Sequence, residues 1–142
     1  MAMSREESEG FLAEPHVATL GVAAGDGRGP LLVPIWYAYE PGGLPWILTG
    51  ANSRKMRLIR AAGRFSLLVQ RTSPTTRYVS VEGPVADVAE GSGALHREMA
   101  GRYLSGEALD AFATFAESEL ADHVVVRMRP EHWLSADLGV VG

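Results

Sequence analysis

Cysteine is absent from this chain, and lysine occurs only once among its 142 residues. Without cysteine the protein can form neither a disulfide nor a thiolate metal site. The four histidines show no metal-ligand spacing such as H-E-x-x-H, so we expect no metal site. No apolar run approaches the roughly 20 residues of a membrane-spanning helix, and the acidic start of the chain is unlike a signal peptide. These absences predict a cytoplasmic protein without a membrane partner.

The balance of charge is mildly acidic, with a net charge of −4, and no basic cluster lies outside residues 49–57. Nucleic-acid binding generally needs a basic surface, so we expect no nucleic-acid partner. Hydrophobic residues make up 46% of the chain, which is enough for one sizeable core. The length and composition together predict a single domain over residues 1–142.

The single lysine, Lys55, lies where a predicted strand passes into a predicted helix. Ser53 is suited to cap that helix, whose first-turn N–H groups and positive dipole end then face outward. Thr49 and Ser53 add hydroxyl groups, while Arg54 and Lys55 add charge. Acidic residues normally occupy a first turn, and two cations there oppose the dipole unless an anion binds. The segment predicts a site for a phosphate monoester or diester; the alternative is a helix start with surface cations.

Turn-forming residues divide the rest of the chain into short strands and helices. Strands are predicted at residues 17–23, 31–40, 46–49, 64–71, 77–88 and 123–129. Helices are predicted at 4–12, 53–62, 94–104 and 107–120. The second and third strands are expected to form a hairpin, and a short tail follows Pro130. This mainly β pattern with hairpin-length connections predicts an antiparallel, partly closed barrel of six strands with peripheral helices.

Four motifs in this order carry a likeness to a known family. They are Leu-Val-Pro-Ile-Trp-Tyr at 32–37, Thr-x-x-x-Ser-Arg-Lys at 49–55, Arg-Phe-Ser-Leu-Leu-Val at 64–69 and Tyr-Val-Ser-Val-Glu-Gly at 78–83. The chain resembles the flavin-binding split-barrel superfamily that includes pyridoxamine 5′-phosphate oxidase. Its preference for arginine makes it look most similar to the actinobacterial branch that uses the deazaflavin coenzyme F420. The resemblance covers about residues 11–89 and returns weakly at 123–137.

This resemblance implies a homodimer that holds the cofactor ring at the subunit interface. By the same likeness, Thr49, Ser53, Arg54 and Lys55 would bind the cofactor phosphate. Arg77 and Tyr78 would reach the cofactor from the partner chain. The strand before the predicted hairpin would face the ring, through Leu32, Val33, Pro34, Ile35, Trp36 and Tyr37.

Several of these residues have a structural alternative. Trp36 and Tyr37 point to opposite faces of a strand, so both could be packing residues or Trp36 could form a wall beside the ring. Pro34 inside a strand indicates an unpaired strand edge. Arg57 is either solvated or a further contact to phosphate or carboxylate. Trp133 either covers the ring or anchors the tail to the surface.

The resemblance also implies an activity, the transfer of hydride from reduced coenzyme F420 to a small planar or conjugated acceptor. An enone, a quinone or a tetrapyrrole would be such an acceptor, and no catalytic side chain is expected because the cofactor carries the chemistry. Arg77 stands where the oxidase often has glutamine, which disfavours an FMN oxidase, and pyridoxamine phosphate is not expected as substrate. The alternatives are an FMN-dependent oxidoreductase of the same fold, a non-catalytic protein that binds a cofactor or haem, and a structural dimer.

Overall fold

The computed structural model describes residues 1–139, so residues 140–142 of the predicted domain lie outside the described part. Within this range the chain forms seven strands and four helices. The strands are β1 (Ala18–Val22), β2 (Leu31–Ile35), β3 (Trp46–Gly50), β4 (Arg64–Arg71), β5 (Thr76–Glu90), β6 (His123–Met128) and β7 (His132–Gly139). The helices are α1 (Arg5–Ala13), α2 (Arg54–Ala62), α3 (Gly93–Ala100) and α4 (Gly106–Glu119).

The strands are antiparallel and follow the order β2-β1-β4-β5-β6-β3, with β7 paired to β5. The chain just after β2 meets β3 at one bridge, where Ala38 and Trp46 exchange two backbone hydrogen bonds of 3.0 Å. This bridge joins the two ends of the strand order. The sheet therefore curls into a partly closed barrel, and the predicted mainly β split-barrel class is confirmed. The predicted hairpin between residues 31–40 and 46–49 is limited to that bridge, because β2 pairs with β1 and β3 pairs with β6.

Strand β5 belongs to both halves of the barrel. Its first part pairs with β4 on one edge and β7 on the other, and its last part pairs with β6. A register shift separates Val85 from Asp87, at the change of partner. At Gly83 a Cβ would lie 1.8 Å from the carbonyl oxygen of Arg129. Glycine thus allows the connection from β6 to β7 to cross β5 at close range.

The predicted tail after Pro130 is wrong in one respect, since it forms the seventh strand. Apolar and polar residues alternate there, with Leu134, Ala136 and Leu138 separated by Ser135 and Asp137. This is a strand signal with period two. Its polar side chains face inward, where Ser135 accepts a hydrogen bond of 2.9 Å from Ser8 on α1.

The core lies inside the barrel, where alternate residues of the strands meet two helices. Phe11 and Leu12 of α1 and Met56 and Ile59 of α2 are at most 2% exposed. Each such side chain stabilises the fold by about 1.5–3 kcal/mol through removal of apolar surface from water. The strands contribute the other large buried side chains, among them Leu20, Ile47, Phe65, Leu67, Val69, Val79, Val81 and Met128. None of the helices within residues 1–139 is long and apolar enough to cross a membrane.

Helices α3 and α4 pack on the outside of the barrel as a helical pair. Tyr103, which follows α3, stacks on Trp36 with ring centroids 4.7 Å apart. Its hydroxyl lies 2.8 Å from the His16 carbonyl and 2.9 Å from the Tyr37 carbonyl, and it accepts a hydrogen bond from the Tyr37 N–H. One aromatic residue therefore fastens the helical pair to the end of β2.

Candidate functional site

The first turn of α2 has the form that the sequence predicted. Ser53 is the N-cap, with φ of −68° and ψ of 159°, and its hydroxyl accepts a hydrogen bond of 3.1 Å from Met56 N–H. The Thr49 hydroxyl, at the end of β3, lies 3.1 Å from the Ser53 hydroxyl. At the other end Gly63 closes the helix in the left-handed region, with φ of 72°. Thr49 is only 2% exposed, so its hydroxyl supports that of Ser53 from beneath, and Ser53 lies beside the free N–H groups of the turn.

The first turn of α2 carries two cations, and the carboxylate of Asp122 faces its N-cap, with an Oδ2 that would lie 3.7 Å from a Cβ on Gly50. The first turn contains no acidic residue. Arg54 is exposed, Lys55 is half-buried, and neither forms an ion pair with any residue in 1–139. We name Thr49, Ser53, Arg54, Lys55 and the first-turn N–H groups the α2 cradle. Its donors and charge suit a phosphate group, and that assignment stays a prediction.

Arg57 stabilises the loop before the helix. Its guanidinium donates a 2.7 Å hydrogen bond to the carbonyl of Asn52. A second loop contact comes from the turn before β6, where the Asp122 carbonyl accepts a hydrogen bond of 3.2 Å from Ala51 N–H. These bonds fix the backbone of the α2 cradle, so its N–H groups are oriented before any ligand arrives. Arg57 therefore stabilises the loop through its hydrogen bond to Asn52, and it also adds positive charge near the α2 cradle.

The predicted ring-facing strand is divided between two faces. Leu32 is 64% exposed and Pro34 is also exposed, whereas Val33 is half-buried and Ile35 is buried. Strand β2 pairs with β1 alone over residues 31–35, so its other edge is open, as Pro34 indicated. Only the Leu32–Pro34 face and the open edge can meet a ligand from outside the barrel.

Tyr37 is a core residue whose side chain packs inside the fold, and its predicted contact with a cofactor ring stays a prediction. It is fully buried, and its hydroxyl donates to the carbonyls of Leu12 at 2.6 Å and Glu14 at 3.0 Å. Burial raises the pKa of Tyr37 far above that of a free tyrosine. The side chain holds the end of α1 against the barrel.

The two tryptophans of the prediction are likewise packing residues in this chain. Trp36 is covered by Tyr103 and by Phe112 of α4, whose ring centroid lies 5.4 Å away. Trp133 packs edge-on against Tyr39 at 6.3 Å, and the Arg5 guanidinium lies 4.8 Å from its ring. The Trp133 side chain contacts the core and its indole nitrogen is buried. Trp133 therefore anchors β7 to the core, and its predicted contact with the cofactor ring stays a prediction.

Arg77 is held by an acidic partner that the sequence prediction missed. Arg77 and Asp137 are opposite each other on β5 and β7, and their charged atoms are 2.9 Å apart. The Gly139 N–H bonds the same carboxylate, and this bond together with Arg77 lowers the pKa of Asp137. A cofactor contact by Arg77 would have to share this pairing. Tyr78, next along β5, is half-buried.

Apolar side chains are exposed on the outer face of the barrel wall. One row runs across five strands in register, and we name it the outer row: Pro34, Thr19, Leu68, Ser80 and Leu134. Leu134 on β7 is 64% exposed, and so is Leu32 on β2, at the opposite end of this face. At the end of this face near Leu32, the loop between β1 and β2 encloses a cleft of about 640 Å³. The face is large and apolar enough for contact with another surface.

This architecture is the flavin-binding split barrel, and the α2 cradle occurs at the end of its third strand. The chain belongs to the pyridoxamine 5′-phosphate oxidase family, whose model matches residues 4–136. No curated protein matches the sequence.

Solved structures with the same fold come from proteins with different names. An F420 reductase is similar with a TM-score of 0.73 and 24% identity, over 89% of this chain and 94% of that one. A conserved hypothetical protein from Mycobacterium tuberculosis has a TM-score of 0.74 and 29% identity, over 96% and 86%. An FAD-binding protein from Mesorhizobium loti has a TM-score of 0.62 and 22% identity, over 96% and 95%. The F420 reductase and the FAD-binding protein are 24% and 22% identical to this chain, so these two show the fold alone.

Proposed function

We propose that this protein is an oxidoreductase that binds coenzyme F420 and transfers hydride from its reduced form to a small planar or conjugated acceptor. The observation that carries the proposal is the α2 cradle, where Arg54 and Lys55 form no ion pair within residues 1–139 and lie beside capped N–H groups in a first turn without an acidic residue. Such a set fits the phosphodiester of the coenzyme's linker. The same fold occurs in a protein named F420 reductase, so the fold is compatible with this coenzyme.

The residues of the chain would bind, orient and shield the cofactor. Thr49, Ser53, Arg54 and Lys55 would hold the phosphate, and Leu32 and the open edge of β2 would contact the ring. When bound, the deazaflavin supplies the hydride chemistry. The protein contributes a fixed orientation and an apolar surface that excludes water, so no ionisable side chain has to take part in the hydride step.

The cofactor is tested by fluorescence titration with coenzyme F420 and FMN side by side. We expect saturable binding of coenzyme F420 with the tighter dissociation constant, followed by hydride transfer to quinones or enones under anaerobic conditions. Tighter binding of FMN would assign the protein to the FMN-dependent members of the fold. Binding of either cofactor without turnover against a panel of acceptors would leave a cofactor-binding protein that is not an enzyme.

We further propose that the protein acts as a homodimer through its outer row. Three leucines on this face of the barrel are 54% to 64% exposed, namely Leu32, Leu134 and Leu138. A second copy would cover them, and it would close the surface around Leu32 where the ring is proposed to lie. Burial of such a face stabilises association because apolar surface leaves water.

Replacing Leu134 by glutamate should convert the dimer into a monomer, because a carboxylate would be buried without a partner. Light scattering after size-exclusion chromatography measures the mass. The matched control is Phe115→Glu, since Phe115 is also exposed, at 51%, but lies on α4. If Leu134→Glu keeps the mass of the wild type, or if the wild type is itself a monomer, the outer row is not the interface.

A further inference from the structure

Two histidines lie side by side on the inner side of the α2 cradle. His96 comes from α3 and His123 is the first residue of β6, and their ring centroids are 5.1 Å apart at 48°. His96 is 5% exposed and His123 is half-buried. His96 Nε2 and His123 Nδ1 are buried without a hydrogen-bond partner among residues 1–139. No hydrogen bond within the described chain therefore fixes the protonation of these two nitrogens.

The surroundings of this histidine pair are mostly apolar. A cavity of about 80 Å³ separates the barrel wall from the helical pair, and both histidines line it. Such an environment disfavours the charged form of an imidazole. The other residues around the cavity are Ile35, Trp36, Leu48, Met99, Phe112 and Leu120.

The histidine pair and the α2 cradle share a wall. His123 is opposite Gly50 in the ladder between β3 and β6. A Cβ on Gly50 would lie 3.7 Å from both the Asp122 Oδ2 and the Ser53 Cβ, and 3.9 Å from His123 Cδ2. The N-cap of α2 and the imidazole of His123 are thus separated by a single glycine residue. Charge on one side of this wall acts on the other side at short range.

Three charged or titratable groups act on His123, in addition to burial. Burial lowers the pKa of His123 most, and His96 and Lys55 lower it further, whereas Asp122 in the preceding turn raises it. On the far side of His96, Glu117 of α4 lines a separate cleft of about 220 Å³. Burial, His96 and Lys55 therefore disfavour a proton on His123 when no anion is present.

We propose that the histidine pair takes up one proton when an anion occupies the α2 cradle, so that anion affinity rises as the pH falls from about 7.5 to about 5.5. An anion would offset the repulsion from Lys55 and would attract a proton onto the imidazole. By linkage, the protonated pair binds the anion more tightly to the same degree. Because this inference needs an anion in the α2 cradle, it rests on the proposed function. The inference adds that the pH would control how tightly the cofactor is retained.

The lowered pKa of His123 also makes the folded protein less stable at low pH. The pKa of His123 is lower in the folded protein than in the unfolded chain. Its contribution to stability is therefore complete above the ordinary pKa of about 6.5. That contribution is lost as the pH falls through the lower folded value. An anion in the α2 cradle returns part of it at low pH.

Inorganic sulfate is the probe, because it stays a dianion between about pH 5.5 and 7.5. Histidine side-chain NMR signals are followed with and without sulfate at constant ionic strength, and backbone amide signals of residues 53–55 report binding at the α2 cradle. We expect sulfate affinity to rise about fivefold over this range. Saturating sulfate should raise the midpoint of His123 by about 0.7 pH unit, which is the same free energy.

Two variants and one control complete the test. His123→Gln and His96→Gln should each flatten the pH dependence while sulfate still shifts the amides of residues 53–55. Arg60→Ala, which removes a charge from the last turn of α2, should keep the pH dependence. If the amides shift but the His123 midpoint does not move in the wild type, this inference is overturned and the proposed function stands. If the amides do not shift at all, both are overturned.

Discussion

Replacing Lys55 by alanine should weaken the binding of coenzyme F420 at least tenfold. A hydrogen bond to a charged group contributes about 1.5–3 kcal/mol, and every 1.4 kcal/mol is about a factor of ten in affinity. Lys55 is the one lysine of the chain, half-buried and without an ion pair in residues 1–139. Removal of Arg54 as well should weaken binding about a hundredfold, if the two contacts are independent.

The same variant should not lower the stability of the free protein. A cation in the first turn of a helix opposes the dipole by a few tenths of a kcal/mol, and alanine is the best helix former. The melting temperature of Lys55→Ala without cofactor should therefore equal or exceed that of the wild type. Weaker cofactor binding with an unchanged or higher melting temperature is expected when the replaced residue binds the ligand but is unfavourable for the fold. Replacement of a structural residue would lower both the affinity and the melting temperature.

Arg60→Ala is the matched control for Lys55→Ala. It removes the same charge from the same helix, but Arg60 is exposed in the last turn. We expect less than about a threefold change in affinity, because exposed charges at this distance are screened by salt. Fluorescence titration at fixed ionic strength measures all three variants. Equal affinities of Lys55→Ala and the wild type would show that the phosphate lies elsewhere.

Replacing Gly83 by alanine should destabilise the protein by at least about 3 kcal/mol, as severe overpacking against rigid backbone does. The added Cβ would lie 1.8 Å from the Arg129 oxygen and 3.2 Å from the Glu131 nitrogen. Both neighbours are backbone atoms, and the Glu131 N–H donates to the Glu82 carbonyl at 2.9 Å. Relief of the clash would break this bond and move β7 away from β5.

Gly10→Ala is the control for Gly83→Ala. Gly10 lies within α1, and a Cβ there would meet nothing within 4 Å. Alanine should therefore stabilise the helix by about 0.5–1 kcal/mol. Chemical denaturation gives both free energies of unfolding. A loss below about 1 kcal/mol for Gly83→Ala would mean that the crossing of β5 relaxes at little cost.

The elements that were predicted well are those with strong local signals. Ser53 before α2 and Gly63 after it are capping residues that act through their own backbone neighbourhood. Branched and aromatic runs likewise marked β4 and most of β5. The α2 cradle was predictable for the same reason, because its parts are contiguous in the chain.

What the sequence did not reveal depends on contacts between distant residues. Tyr37 is buried where the carbonyls at the end of α1 accept hydrogen bonds from its hydroxyl. The sequence around residue 37 contains no signal for these distant partners. The pairing of Arg77 with Asp137 requires β7 to lie beside β5. The alternation of apolar residues 134–138 was a usable signal for that strand. His96 and His123 carry no motif, and only the packing of α3 on the barrel brings them together.

The shared strand β5 has a consequence for how the molecule melts. Its 15 residues supply hydrogen bonds to three neighbours, β4, β7 and β6, across both sheet halves. Neither half keeps its ladder once β5 detaches, so the protomer behaves as one thermodynamic unit with a single transition. Amide protons along β5 should consequently exchange only through global unfolding, while those of exposed α4 exchange through local openings.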